Sequence, residues 1–179
     1  DQIKEFEMGE ALDIAIIGAG YFANHVHFPA IRHLMENPPH EITVRVLGIW
    51  DLDPEKARIS MERFCFEKVY SNLDVLLGDE DVDAFVVLVA PENLKHLLEC
   101  LFPLKKPIFT EKPPGMSHAE AKSLAEQVDS LNLVAFNRRF APMNVRFKEM
   151  AASLGDLVLI SCNMHRHNRL DDHFILGTG

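Results

Sequence analysis

Apolar and polar positions are arranged in two alternating ways along the chain. Short, mostly apolar runs stand at Ile14–Ile17, Thr43–Trp50, Val69–Tyr70, Ala84–Val89, Pro107–Thr110 and Leu133–Phe136. Runs this short, bounded by Gly, Asp or Pro, read as strands buried on both faces. Amphipathic stretches lie between them. Asn24–Met35 reads as a helix that Pro29 must kink or restart. Asp53-Pro54 supplies an N-cap and a proline at the first helical position, predicting a helix to about Phe64. Leu73–Leu77 reads as a short helix or turn, and Asn93–Phe102 as a helix. Ser117 with Glu120 three residues on is a capping box, and Ala121, Leu124, Ala125 and Val128 form one helical stripe. Met143, Phe147, Met150, Ala151 and Leu154 form a second stripe, expected to pack as core. Leu157–Met164 reads as a last strand.

Strands alternating with helices imply an α/β protein with a parallel sheet covered on both faces. Six strands between Asp13 and Asn137 suit a doubly wound dinucleotide-binding fold. The stretch after Arg138 is too short for a second domain. The expected division is therefore an N-terminal extension over 1–12, a dinucleotide-binding Rossmann domain over 13–137, and the incomplete start of an α+β substrate or oligomerisation domain over 138–179.

Charge narrows the partners. Lys and Arg number 18 against 27 Asp and Glu, a net charge of −9. Phosphate backbones and anionic bilayers both select basic faces, so neither nucleic acid nor membrane is an expected partner. Cys65, Cys100 and Cys162 are odd in number and widely spaced, which gives no disulfide framework. The longest apolar run, Ala84–Pro91, is far short of the roughly 20 residues that a membrane helix needs. Asp1–Glu10 is acidic and has no signal-peptide pattern. The expected location is the cytoplasm.

Candidate chemistry gathers where strands end. Gly18-Ala19-Gly20-Tyr21-Phe22-Ala23 is a GxGxxA turn between the first strand and a helix. Gly18 allows the tight turn, Gly20 lets the backbone approach a pyrophosphate, and Ala23 allows close packing of helix on strand. Helix N-terminal N–H groups favour the phosphates. Asp51 ends the second strand, placed to accept from the adenosine ribose hydroxyls. It lies 31 positions after Gly20, farther than the usual spacing of about 20, because the polar loop Glu36–Glu41 intervenes. Asp53 adds negative charge nearby, which would repel a 2′-phosphate, so NAD is expected over NADP. Ala90, Pro91 and Asn93 come after the most apolar strand and should face the cofactor. Glu111-Lys112-Pro113 comes after the next strand at the same sheet edge, where a lysine can donate to a hydroxyl or carbonyl oxygen.

Together these residues resemble the Gfo/Idh/MocA family of NAD(P)-dependent oxidoreductases. The resemblance covers about Asp13 to Phe147, and Glu111-Lys112-Pro113 is its most specific part. Asn137-Arg138-Arg139-Phe140 and Pro142 also match. The family usually carries a small residue and Gly where Leu104-Lys105-Lys106 stands here. The resemblance implies that Lys112 contacts substrate and handles the proton. Gly18, Gly20, Tyr21, Phe22, Ala23, Asp51, Ala90, Pro91, Asn93 and Glu111 are the expected cofactor residues. It further implies a sugar-like or polyol substrate, a cis bond before Pro113, a histidine partner of the lysine beyond Gly179, and a homo-oligomer when full length.

Rival readings stay open. A non-catalytic dinucleotide-binding regulator uses the same fold, and an isolated Rossmann interaction module is a third reading. Two histidine pairs, His25/His27 and His165/His167, suggest metal. Residues i and i+2 on a helix face different ways, and neither pair has a completing Cys or carboxylate at a known spacing. No metal is expected.

Overall fold

The computed structural model describes residues 11–38, 42–156 and 161. It contains one six-stranded parallel sheet: β1 (Ala11–Ile17), β2 (Thr43–Trp50), β3 (Lys68–Val69), β4 (Ala84–Val87), β5 (Ile108–Thr110) and β6 (Asn132–Val134). Their spatial order is β3-β2-β1-β4-β5-β6. The chain leaves β1 to one side, through β2 and β3, then returns to build β4–β6 on the other. That reversal is the doubly wound switch point, which opens a crevice beyond the carboxyl ends of the central strands.

Both faces of the sheet are covered, and β1 shows how. Ile14 and Ile16 pack into one core cluster with Phe28, Ile31, Val46, Ile49, Ala57, Phe64 and Phe66. Ala15 and Ile17 pack into the other with Leu76, Phe85, Val87, Leu94, Leu98 and Leu101. Alternate residues serve opposite cores, so an unbroken apolar run is what the strand requires. Phe28, Phe85, Leu76, Leu94 and Leu101 are fully buried. Burying each such side chain contributes roughly 1.5–3 kcal/mol.

The helices are α1 (Phe28–Glu36), α2 (Pro54–Phe64), α3 (Leu73–Leu77), α4 (Pro91–Leu101), α5 (His118–Gln127) and α6 (Pro142–Ala152). Pro29 does restart the first helix: Ala23–His27 is a wide π-turn, and α1 begins after it. Asp53 caps α2 by accepting from the Glu55 N–H at 3.1 Å. The Ser117 hydroxyl accepts from the Glu120 N–H at 3.2 Å. The Glu120 carboxylate reaches back to the Met116 N–H rather than to that of Ser117, one residue beyond a standard capping box.

Several expectations change. β1 begins at Ala11, because Ala11–Asp13 pair with Thr43–Arg45 although they are only half-buried. β4 stops at Val87, where the Leu88 N–H still donates to the Ile17 carbonyl at 2.8 Å but the chain turns toward α4. That helix starts at Pro91 rather than Asn93, since a proline at the first position forfeits no helical hydrogen bond. The Met143–Leu154 stripe is not core. Met143 is 77% exposed, Leu154 83%, and α6 has no buried residue.

Two compact units divide the chain, one ending at Phe136 and the other starting at Asn137. The second contains a short 3-10 turn, Asn137–Phe140, and α6. The strand expected over 157–164 falls outside the described residues, apart from Ser161.

Candidate functional site

The glycine turn is built from both sides. Gly18 has φ +102°, and a Cβ there would stand 2.6 Å from the Leu88 carbonyl oxygen. Only glycine satisfies both constraints. Its N–H donates to the Trp50 carbonyl at 2.8 Å, fastening the end of β1 to the end of β2. Gly20 differs: a Cβ there would meet nothing within 4 Å. Packing does not require that glycine, and the open space above it lies at the start of a helical stretch, where the Asn24 N–H donates to the Gly20 carbonyl at 3.1 Å. First-turn N–H groups lack intrahelical acceptors, so this surface fits a pyrophosphate. Ala23 is buried and Tyr21 is 70% exposed.

Two side chains brace the turn. Asp51 Oδ2 accepts from the Ala19 N–H at 2.6 Å, and Oδ1 accepts from the Asp53 N–H at 2.8 Å. A carboxylate offers about four acceptor sites, so Asp51 keeps capacity for sugar hydroxyls. Asn24 Nδ2 donates to the Ala19 carbonyl at 2.9 Å and to the Gly20 carbonyl at 3.1 Å. Its Oδ1 accepts from the buried Ser60 hydroxyl on α2 at 3.0 Å. Sequence reasoning missed both the second task of Asp51 and the whole role of Asn24. An Asn one position after GxGxxA is a weak signal, because its partner on α2 is 36 residues away.

Ala90 caps α4 without a side-chain bond, Pro91 holds its first position, and the Asn93 N–H donates to the Ala90 carbonyl at 3.0 Å. Asn93 is exposed within the first turn.

The third cluster comes directly after β5. The Glu111 N–H donates to the Val87 carbonyl at 3.3 Å, which holds this segment beside the end of β4. Lys112-Pro113 is a cis peptide. The Lys112 ammonium stands 3.7 Å from Glu111 Oε2 and 5.8 Å from the centroid of the Phe22 ring, with its side chain half exposed. Glu111 Oε2 also accepts from the Lys112 N–H at 3.1 Å. Glu111 Oε1 lies 2.6 Å from His27 Nε2. A carboxylate oxygen accepts, so in this contact the His27 Nε2–H is the donor. The His27 ring stands edge-on to Phe109 at 5.7 Å and tilted against Phe22 at 5.9 Å.

The fold thus brings Gly18–Ala23, Asp51, the Ala90 loop and Glu111–Lys112 to the carboxyl edge of one sheet. It separates the first histidine pair. His25 stacks on Tyr21 at 3.9 Å and bonds the Tyr21 carbonyl through Nδ1, while His27 turns inward to Glu111. Among the described residues, no three His, Cys, Asp or Glu side chains gather as a metal site. No described helix is long and apolar enough to cross a membrane. Cys65 and Cys100 are free thiols. Cys162, His165, His167 and His173 lie outside the described residues.

Among known protein families, residues 12–138 match the Gfo/Idh/MocA model, described as an oxidoreductase family with an NAD-binding Rossmann fold. The chain is 31% identical over 107 residues to an inositol 2-dehydrogenase of Acidothermus cellulolyticus, covering 58% of this chain and 31% of that protein. It is 26% identical over 157 residues to an uncharacterized Saccharomyces cerevisiae protein, covering 85% of this chain and 43% of the other. The chain therefore spans less than half the length of either relative. Its fold is similar to that of a Lactobacillus casei myo-inositol dehydrogenase solved with NAD(H) and myo-inositol. That match has a TM-score of 0.70 at 24% identity, over 80% of this chain and 42% of that one. With a model match across most of its length and the six-stranded doubly wound sheet to carry it, this chain belongs to the Gfo/Idh/MocA oxidoreductase family.

Proposed function

We propose that the chain is the cofactor-binding part of an NAD-dependent dehydrogenase or reductase acting on a polyol or sugar-like substrate. The observation that carries this reading is the meeting of an open glycine turn, an acidic strand end and a lysine-bearing strand end at one sheet edge. Residues 13–137 form the cofactor domain, and 138–179 begin the substrate domain. The glycine turn, Tyr21, Phe22 and Ala23 cradle the dinucleotide phosphates. Asp51 accepts from the adenosine ribose hydroxyls with its remaining lone pairs, and its charge beside Asp53 disfavours a 2′-phosphate. Ala90, Pro91, Asn93 and Glu111 line the cofactor side of the crevice. Bound NAD supplies hydride exchange with the substrate carbon. Lys112 donates a hydrogen bond to the reacting oxygen and holds or releases its proton at Nζ. The similar inositol dehydrogenases make cyclic polyols the first substrates to try. The full-length protein is read as a cytoplasmic homo-oligomer.

The test starts with Trp50, the single tryptophan, which adjoins Asp51. Saturable quenching of its emission by NADH, and weaker quenching by NADPH, is the expected result. Turnover of a cyclic polyol with NAD is expected next. Lys112→Met should lower kcat by about a hundredfold or more while NADH binding persists. Tight NADH binding with no turnover across a polyol panel would favour a regulator instead. No binding of either dinucleotide would overturn the proposal.

A further inference from the structure

We infer that His27 is a positioning residue, which acts through Glu111 to hold the Lys112 ammonium in place. The inference rests on the proposed role of Lys112 and extends it to a side chain on a different element. Three observations carry it. Both Glu111 oxygens are engaged, Oε1 by His27 Nε2 at 2.6 Å and Oε2 by the Lys112 backbone N–H at 3.1 Å. Oε2 also faces the Lys112 ammonium at 3.7 Å. His27 and Glu111 are largely shielded, with side chains 13% and 16% exposed, whereas Lys112 is half exposed.

The asymmetry has a physical meaning. An exposed lysine has many rotamers and a weak surface ion pair, which alone would order it poorly. A carboxylate that is itself immobile gives the ammonium one preferred position. Glu111 needs a donor on its far oxygen to be immobile, and His27 is that donor. The imidazole is fixed in turn by Phe109 and Phe22. The π-turn Ala23–His27 delivers it, because the widened turn breaks the ordinary helical spacing just before α1. The Lys112 ammonium also stands over the Phe22 ring, 5.8 Å from its centroid. One short segment, Phe22–His27, therefore contributes to the glycine turn and to the placing of the lysine.

The test uses His27→Leu, which removes the donor, and His27→Gln, which keeps an N–H able to reach a carboxylate. The first readout needs no substrate. The rate at which a lysine acylating reagent labels Lys112 is followed by peptide mass spectrometry in the full-length protein. His27→Leu and Glu111→Gln should each raise that rate severalfold, and His27→Gln should stay within about twofold of wild type. Circular dichroism melts confirm that each variant is folded. The second readout is turnover of a cyclic polyol with NAD. His27→Leu should lower kcat by about ten- to a hundredfold with KM for both reactants within about twofold, as expected for a misplaced reacting group. His27→Leu/Lys112→Met should be no worse than Lys112→Met alone.

Unchanged labelling in His27→Leu beside raised labelling in Glu111→Gln shows that His27 does not position the lysine and overturns the inference. Unchanged labelling in both shows that Glu111 does not hold Lys112 and overturns it at its root. Raised labelling with full activity in Lys112→Met leaves the contact real but sinks the role proposed for the lysine.

Discussion

Asp51 accepts the Ala19 N–H at 2.6 Å across 32 residues of sequence. The carboxylate proposed to select the cofactor also holds the glycine turn in shape. Asp51→Ala then has two effects. It strands an N–H on Ala19, which is buried, at a cost of about 1–3 kcal/mol in a urea melt. It should also blunt the preference for NADH over NADPH in the Trp50 titration. Asp51→Asn separates the two, because an amide oxygen still accepts from Ala19 while the charge is gone. Its melt should stay closer to wild type than that of Asp51→Ala, and the preference should weaken in both.

The two glycines of the turn should respond oppositely to a methyl group. Gly18→Ala meets the Leu88 carbonyl at 2.6 Å with a positive φ, and should cost about 3 kcal/mol or more. Gly20→Ala has open space around it and should melt within about 0.5 kcal/mol of wild type. Its NADH affinity should nonetheless fall, since the added methyl occupies the proposed phosphate cradle. Melting curves and dinucleotide titrations on the pair check both statements.

Cys65 ends α2 in the left-handed region at φ 58°, with its N–H and that of Phe66 both donating to the Met61 carbonyl. That is the C-terminal position where glycine is unstrained. Cys65→Gly should stabilise the protein by about 1 kcal/mol, measured by thermal or urea unfolding.

Asp79 joins Lys68 at 2.7 Å and the buried Tyr70 hydroxyl at 2.8 Å. The Lys68 ammonium, with help from Tyr70 and the Asp81 N–H, holds its carboxyl below the ordinary carboxylate value, against the opposing effect of burial. Burial, reinforced by Asp79, pushes the Tyr70 hydroxyl well above its usual range. A carboxylate lowered in the folded state stabilises fully above its unfolded value of about 4. The contribution is lost as pH falls through the lower folded value. Asp79→Asn should therefore lower stability most at neutral pH and flatten the acid limb of a stability-against-pH curve below about pH 4, where the wild-type contribution fades.

Much of this architecture is legible in the chain because it is local. Asp53-Pro54 starts α2 by chemistry contained in three residues. The apolar runs become strands because both sheet faces are covered. The carboxyl-edge cluster is a consequence of strand order alone, since parallel strands deliver all their ends to one side. Features that depend on rotation and distance escape. The i, i+2 spacing of His25 and His27 is silent about which ring turns inward, because the π-turn changes the rotation per residue. Asn24 finds Ser60 only once α2 is packed. The α6 stripe is amphipathic in sequence, yet periodicity names an apolar face without naming what meets it.

The Asn24–Ser60 hydrogen bond ties the glycine turn to the middle of α2. Breathing of that helix and loosening of the turn should therefore be coupled. Anything that settles into the turn should slow amide-hydrogen exchange along residues 54–64, a helix it never touches. Deuterium uptake in that helix would then report occupancy of the turn from the far side of the bridge.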